Sequence, residues 1–191
     1  QLVAEYFAAN VPLAQVRWTI AGRNGRKLQA LRDRLSTIDA ACQDIEPIVA
    51  GSDDRGALND MAQKTRVVLT TVGPYAALGE PLVAACVEHG TDYVDITGEP
   101  DFWGGIIERY HDRAVLSGSL IIPCCGFDSI PHDLGALYTA QKLQSRGSGP
   151  MHIRGYVAAK GSVSGGTWHS LLGFLGKGRN HKKPVRTSKP R

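Results

Sequence analysis

The strongest constraint on the fold lies between Val67 and Leu134, where short β-branched apolar runs alternate with stretches of helical periodicity. The stretch opens VVLTTVGPYAALGEPLVAACVEHGTDYVDITGE and closes IIPCCGFDSIPHDL. Such alternation marks a parallel sheet, because parallel neighbours are joined only by long crossovers, usually helices. The same rhythm extends toward the N-terminus. Leu2, Val3, Tyr6 and Phe7 recur at helical spacing, so the chain is expected to begin inside a helix. Val16–Ile20 reads as a strand followed by a loop over 21–25, and Leu28, Leu31 and Leu35 mark a helical face. Ile45–Val49 reads as another strand, and Leu58 to Lys64 as another helix.

Within the constraining stretch, Val67–Val72 reads as a strand buried on both faces. Leu82, Val83, Cys86 and Val87 form a helical stripe that Gly90 closes as a C-cap. Tyr93–Ile96 and Leu120–Cys124 add two strands around a helix over Phe102–Leu116. Ser129 is expected to cap a helix starting at Ile130 and Pro131, with Leu134, Leu137 and Tyr138 as its buried face.

The organisation that follows is an incomplete dinucleotide-binding domain over residues 1–143 and a polar connector over 144–150. Residues 151–176, with strand-like alternation in His152–Ala158, read as the opening of a second domain. Residues 177–191 form a basic tail holding seven of the 22 Lys and Arg and none of the 18 acidic residues. The preceding body is therefore net negative. The tail lacks the interleaved aromatics of single-strand binders, so a solvated, disordered end is favoured over a nucleic-acid or anionic-membrane contact. No run of about 18 apolar residues is present, and the N-terminus lacks the basic flank and apolar core of a signal peptide. An intracellular, cytoplasmic protein is expected. Cys42, Cys86, Cys124 and Cys125 show neither CxxC spacing nor a His cluster, which predicts reduced core thiols and no metal site.

Four segments carry candidate chemistry. Gly22 and Arg23 end the second expected strand, where a dinucleotide-binding sheet meets the adenosine ribose. An acidic residue there reads a 2′-hydroxyl, whereas arginine accommodates a 2′-phosphate. Arg26 and Lys27 follow one turn on, and no Asp or Glu lies between Ile20 and Arg32. A bound dinucleotide would thus be NADP rather than NAD; solvated loop charges are the competing reading. Val72, Gly73, Pro74 and Tyr75 form a tight turn at a strand's carboxyl end, placed to line a nicotinamide ribose or to serve as a plain strand-to-helix turn. Asp95 to Glu99 put carboxylates at the next strand's end, to bind substrate or to hold the loop by hydrogen bonds. Asp128 and His132, beside Gly126 and Ser129, are the candidate acid–base pair, with helix-start chemistry as the alternative. A Gly-rich phosphate loop is absent, and counting back from Arg23 places it just ahead of Gln1.

These motifs resemble the saccharopine dehydrogenase-like oxidoreductases, a family related to trans-acting enoyl reductases. The resemblance rests on IAGRNGRKLQAL, VVLTTVGPYAALGEPLVAACVEHGTDYVDITGE and CGFDSIPHDLGALYT, with a weaker echo in VSGGTWHSLLGFLG. It implies a doubly wound, parallel-sheet α/β Rossmann-like domain for NADP, here lacking its first strand and Gly-rich loop, followed by the start of an α+β domain. It also implies that Gly22 and Arg23 meet the adenosine ribose, and that Val72, Gly73, Pro74 and Tyr75 lie on the nicotinamide side. It supplies no catalytic residue for this chain, so Asp128 and His132 rest on position alone. A small-molecule or lipid-like substrate, with peripheral contact to a membrane or lipid droplet, is the expected partner. A truncated product would explain the missing loop, and weak or absent NADP binding is then expected of this chain. The alternative is a non-catalytic Rossmann-fold binding or scaffold protein. A sheet missing one strand also exposes edges, which predicts a tendency to aggregate.

Overall fold

The computed structural model describes residues 1–145, 147, 149–158, 160–161, 165, 168 and 172. The expected basic tail over 177–191 lies outside them, as does most of the glycine-rich stretch over 162–176. The chain divides into two units, Gln1–Lys64 and Thr65–Arg191. All strand pairs in both are parallel, as the α/β alternation requires.

In the first unit, helix α1 (Leu2–Asn10) precedes strand β1 (Ala21–Gly22), helix α2 (Gly25–Ser36), strand β2 (Ile48–Val49) and helix α3 (Arg55–Gln63). β1 pairs with β2 in the register Ala21 to Ile48 and Gly22 to Val49. The expected strand over Val16–Ile20 is displaced: only its last residue joins the ladder, where the Ile48 amide donates to the Ile20 carbonyl at 2.9 Å. Local β-propensity marked the apolar run, but pairing follows the partner strand. Asn24 starts α2 by accepting from the Lys27 amide at 3.0 Å, and Asp54 starts α3 by accepting from the Ala57 amide at 3.0 Å. The core gathers Ala8, Ile20, Leu28, Leu35, Cys42 and Ile45. Of the stripe expected on α1, Leu2, Val3 and Tyr6 are exposed; Ala8 is buried, and the Phe7 ring meets Trp18 edge-on at 5.7 Å.

The second unit orders its sheet β3 (Val67–Thr70), β4 (Asp92–Asp95), β5 (Ile121–Ile122). A four-residue helix α4 (Tyr75–Leu78) leads into α5 (Glu80–His89), which Gly90 closes in the left-handed region at φ 66°. Helix α6 (Pro100–Ser117) packs against α5, and both supply the core: Val83, Cys86 and Val87 from one, Phe102, Ile106 and Tyr110 from the other. Glu80 on α5 ties α6 by bonding Arg109 and the Tyr110 hydroxyl.

Four expectations fail here. β3 is not buried on both faces, since Val67 and Leu69 remain 50% and 46% exposed while Val68 and Thr70 are buried. Helix α7 (Ile130–Gln144) forms, but Leu134, Leu137 and Tyr138 are each more than half exposed, because no described element covers that face. Ser129 makes no side-chain cap to α7. Residues 151–158 are exposed without regular structure, so the expected strand there is absent. No described helix is long and apolar enough to cross a membrane. Cys42, Cys86, Cys124 and Cys125 are free thiols, and Cys124, expected to end the last strand, falls beyond β5.

Gly79, between α4 and α5, sits where a Cβ would lie 2.7 Å from the Phe102 ring and 2.9 Å from the Tyr75 carbonyl oxygen. Backbone oxygen cannot yield cheaply, so Gly79→Ala should destabilise by about 1–3 kcal/mol in urea unfolding. Gly104, inside α6 with nothing within 4 Å, should instead gain about 0.5–1 kcal/mol on change to alanine. Equal effects at the two glycines would contradict the packing argument.

Candidate functional site

Two groups of residues expected to bind cofactor fall in different units. In the first unit, Gly22 ends β1 and Arg23 follows it, directly before the Asn24 cap of α2. Arg23, Arg26 and Lys27 are exposed, and none has an acidic partner among the described residues. The first amides of α2 lack intrahelical partners, so three unpaired cations stand around a helix start. A Cβ on Gly22 would touch only the Leu28 side chain, at 3.6 Å.

The second group lies at the carboxyl end of the β3–β4–β5 sheet. β3 ends at Thr70, whose hydroxyl accepts from the Val72 amide at 3.2 Å. The Gly73–Pro74 peptide is cis, and Pro74 starts α4. Tyr75 is buried; its hydroxyl donates to the Thr70 carbonyl at 3.1 Å and accepts from the Ile96 amide at 3.4 Å. Its ring lies 5.7 Å from that of Phe102. Val72, Gly73, Pro74 and Tyr75 thus form one loop braced from below by a phenol.

The neighbouring loop explains the bracing. Asp95 is fully buried at the end of β4. One carboxylate oxygen accepts from the Thr97 amide at 3.0 Å and the Cys124 amide at 2.9 Å, the other from the Tyr93 hydroxyl at 2.7 Å. The Thr97 hydroxyl in turn accepts from the Glu99 amide at 3.1 Å. The Glu99 carboxylate then reaches across to the other loop, accepting from the Tyr75 amide at 3.0 Å and the Ala76 amide at 2.9 Å. Of the two roles open to the Asp95–Glu99 segment, these bonds are those of loop holding.

The grip of Glu99 on residues 24 positions earlier is what sequence reasoning missed. Its only sequence signal was the alternation Asp95-x-Thr97-x-Glu99, which sets three oxygen-bearing side chains along one turn.

Asp128 and His132 are near in sequence but not joined by a hydrogen bond among the described residues. The Asp128 carboxylate lies over two bare backbones: a Cβ on Gly98 would meet its Oδ2 at 2.6 Å, and one on Gly126 its Oδ1 at 2.8 Å. The exposed His132 ring packs instead against Phe127, 6.0 Å between centroids. No group of three or more potential metal ligands occurs among the described residues.

Burial pushes the Tyr75 phenol up to about 12; the Ile96 amide that donates to it opposes the rise, and the carboxylates of Asp95, Glu99 and Asp128 add to it. Burial also pushes the Tyr93 phenol up, with Asp95 reinforcing it. An unfolded tyrosine titrates at about 10. Between about pH 10 and 12 the folded chain therefore holds the Tyr75 proton while the unfolded chain releases it. Stability is complete below that window and falls through it as pH rises. Urea unfolding from pH 9 to 12 should show the fall, and Tyr75→Phe should make it shallower; an unchanged slope would refute the assignment.

The chain matches the family model described as the saccharopine dehydrogenase NADP binding domain over residues 1–121. It is 42% identical to a trans-acting enoyl reductase of Mycobacterium ulcerans over 71% of this chain and 32% of that protein. It is 34% identical to a saccharopine dehydrogenase-like oxidoreductase of Rattus norvegicus over 98% of this chain and 46% of that one. A relative of the same description from Arabidopsis thaliana, whose name places it in mitochondria, is 36% identical over 90% and 38%. The chain thus spans under half the length of these relatives. Among solved structures, apo saccharopine dehydrogenase (L-Glu forming) from Saccharomyces cerevisiae aligns with a TM-score of 0.59 at 20% identity, covering 76% of this chain and 29% of that one. That likeness concerns the fold.

Proposed function

The chain belongs to the saccharopine dehydrogenase-like oxidoreductase family, with its NADP-binding domain, and from that premise we propose that it carries the NADP-binding part of a hydride-transferring enzyme. The observation that supports NADP over NAD most directly is the unpaired, exposed group Arg23, Arg26 and Lys27 at the start of α2. A 2′-phosphate would meet the Arg23 guanidinium and the Gly25 and Arg26 amides, which have no hydrogen bond among the described residues, and no acidic side chain lies between Ile20 and Arg32 in the sequence to repel it. On this reading Gly22 lets the ribose approach β1, and Val72, Gly73, Pro74 and Tyr75 line the nicotinamide side.

The cofactor itself supplies the hydride; the chain's contribution is binding, orientation and exclusion of water. The substrate class is a carbonyl, imine or activated enoyl group on a small or lipid-like molecule. The lipid-like option draws support from the enoyl reductase name of the Mycobacterium ulcerans relative.

Titration with NADPH and NADH tests this. Arg23→Ala should weaken NADPH about tenfold and leave NADH nearly unchanged, because it removes a charge-assisted bond to a phosphate that only NADPH carries. An unchanged ratio between the two cofactors would overturn the ribose-phosphate role.

A second reading is a non-catalytic Rossmann-fold binder or a scaffold on a membrane or lipid-droplet surface. One observation favours it: Asp128 and His132 are turned to different neighbours rather than to each other. NADPH-dependent reduction of any carbonyl or enoyl substrate by the protein would exclude it.

A further inference from the structure

We propose that Glu99 is a positioning residue for the nicotinamide end of the cofactor, acting through the loop over 72–76; the inference rests on the NADP reading above. Glu99 occupies both amides that begin α4, Tyr75 at 3.0 Å and Ala76 at 2.9 Å, one on each carboxylate oxygen. It is anchored at its own end, since its amide donates to Thr97 and its carbonyl accepts from the Phe102 amide at 3.0 Å. Thr97 is held by Asp95. The loop that follows β3 is therefore fixed by a carboxylate on the loop that follows β4, through an unbroken set of hydrogen bonds.

What this clamp leaves over identifies its purpose. The Val72 amide is taken by Thr70, the Tyr75 and Ala76 amides by Glu99, and the Pro74 carbonyl by Ala77 and Leu78. The Val72 carbonyl and the Gly73 amide have no hydrogen bond among the described residues. With the Gly73 carbonyl, which is likewise unbonded among the described residues, they leave one donor and two acceptors of this loop for the oxygen and amino group of a carboxamide. Gly73 is not required to be bare by the chain's own packing, because a Cβ there would touch only the Tyr75 ring at 3.5 Å. Glu99 thus fixes the loop that carries the backbone groups left for a carboxamide such as that of nicotinamide. A residue acting this way affects only the nicotinamide end of the ligand.

The experiment compares NADPH with 2′-phospho-ADP-ribose, which keeps the ribose phosphate and lacks nicotinamide. Affinities of the 191-residue chain are read by titration as ratios of variant to wild type, together with amide hydrogen exchange at Tyr75 and Ala76. Glu99→Ala should weaken NADPH about tenfold, leave 2′-phospho-ADP-ribose within about twofold, and speed exchange at both amides. Glu99→Gln, which keeps the shape and one good acceptor, should fall between wild type and Glu99→Ala. Equal loss for both ligands would mean a purely structural role, and unchanged NADPH affinity or unchanged amide exchange would remove the clamp; each overturns the inference alone. A wild-type chain that binds neither ligand overturns the NADP reading and this inference together.

Discussion

The carboxyl end of the β3–β4–β5 sheet depends on one buried charge, the Asp95 carboxylate. A carboxylate withdrawn from water costs several kcal/mol unless donors replace its hydration. Here the donors are the Tyr93 hydroxyl and the amides of Thr97 and Cys124, and they come from β4, from the turn after it and from the turn after β5. Cys124 adopts φ 63°, a left-handed value that a non-glycine residue takes only when its surroundings hold it there. That conformation lets two successive amides converge on one residue: Cys124 donates to the Asp95 side chain and Cys125 to its carbonyl at 2.7 Å. Both turns are shaped around the same residue. The Thr97–Glu99 relay carries that order outward to the loop after β3.

Elements whose signals are local were legible in the sequence. The Leu28, Leu31 and Leu35 face of α2 and the Gly90 stop of α5 each lie within a few residues. Elements decided by partners were less so. Val16–Ile20 has the composition of a strand, yet pairing occurs at Ala21–Gly22 because the ladder lies opposite Ile48 and Val49. The apolar face of α7 was visible as a periodicity, but periodicity says nothing of what, if anything, covers it.

The candidate site shows the same division. Arg23 could be singled out because its argument needs only its own strand end and the absence of nearby acids. Asp95 and Glu99 could be marked as carboxylates at a strand end, but their donors are up to 29 residues away, and nothing in the linear pattern names them. Asp128 and His132 illustrate the opposite error: closeness in sequence suggested a pair, and the helix start turned the two side chains to different neighbours.

Gly73 and Gly79 look equivalent in sequence and differ in what demands them. Gly79 is fixed from within, because a methyl there would press against the Phe102 ring and the Tyr75 carbonyl. Gly73 faces no such limit; its added methyl would make ordinary contact with the Tyr75 ring, and its φ does not fall in the left-handed region. A bare backbone that the chain's own packing does not require leaves room for something outside the chain to come close. The loop around it spends its other amides on Thr70 and Glu99 and leaves the Gly73 amide and the Val72 and Gly73 carbonyls without a hydrogen bond among the described residues. The position of the bare backbone and the position of the free polar groups therefore coincide, and that coincidence, rather than the glycine alone, is what supports the proposal that this loop meets a ligand.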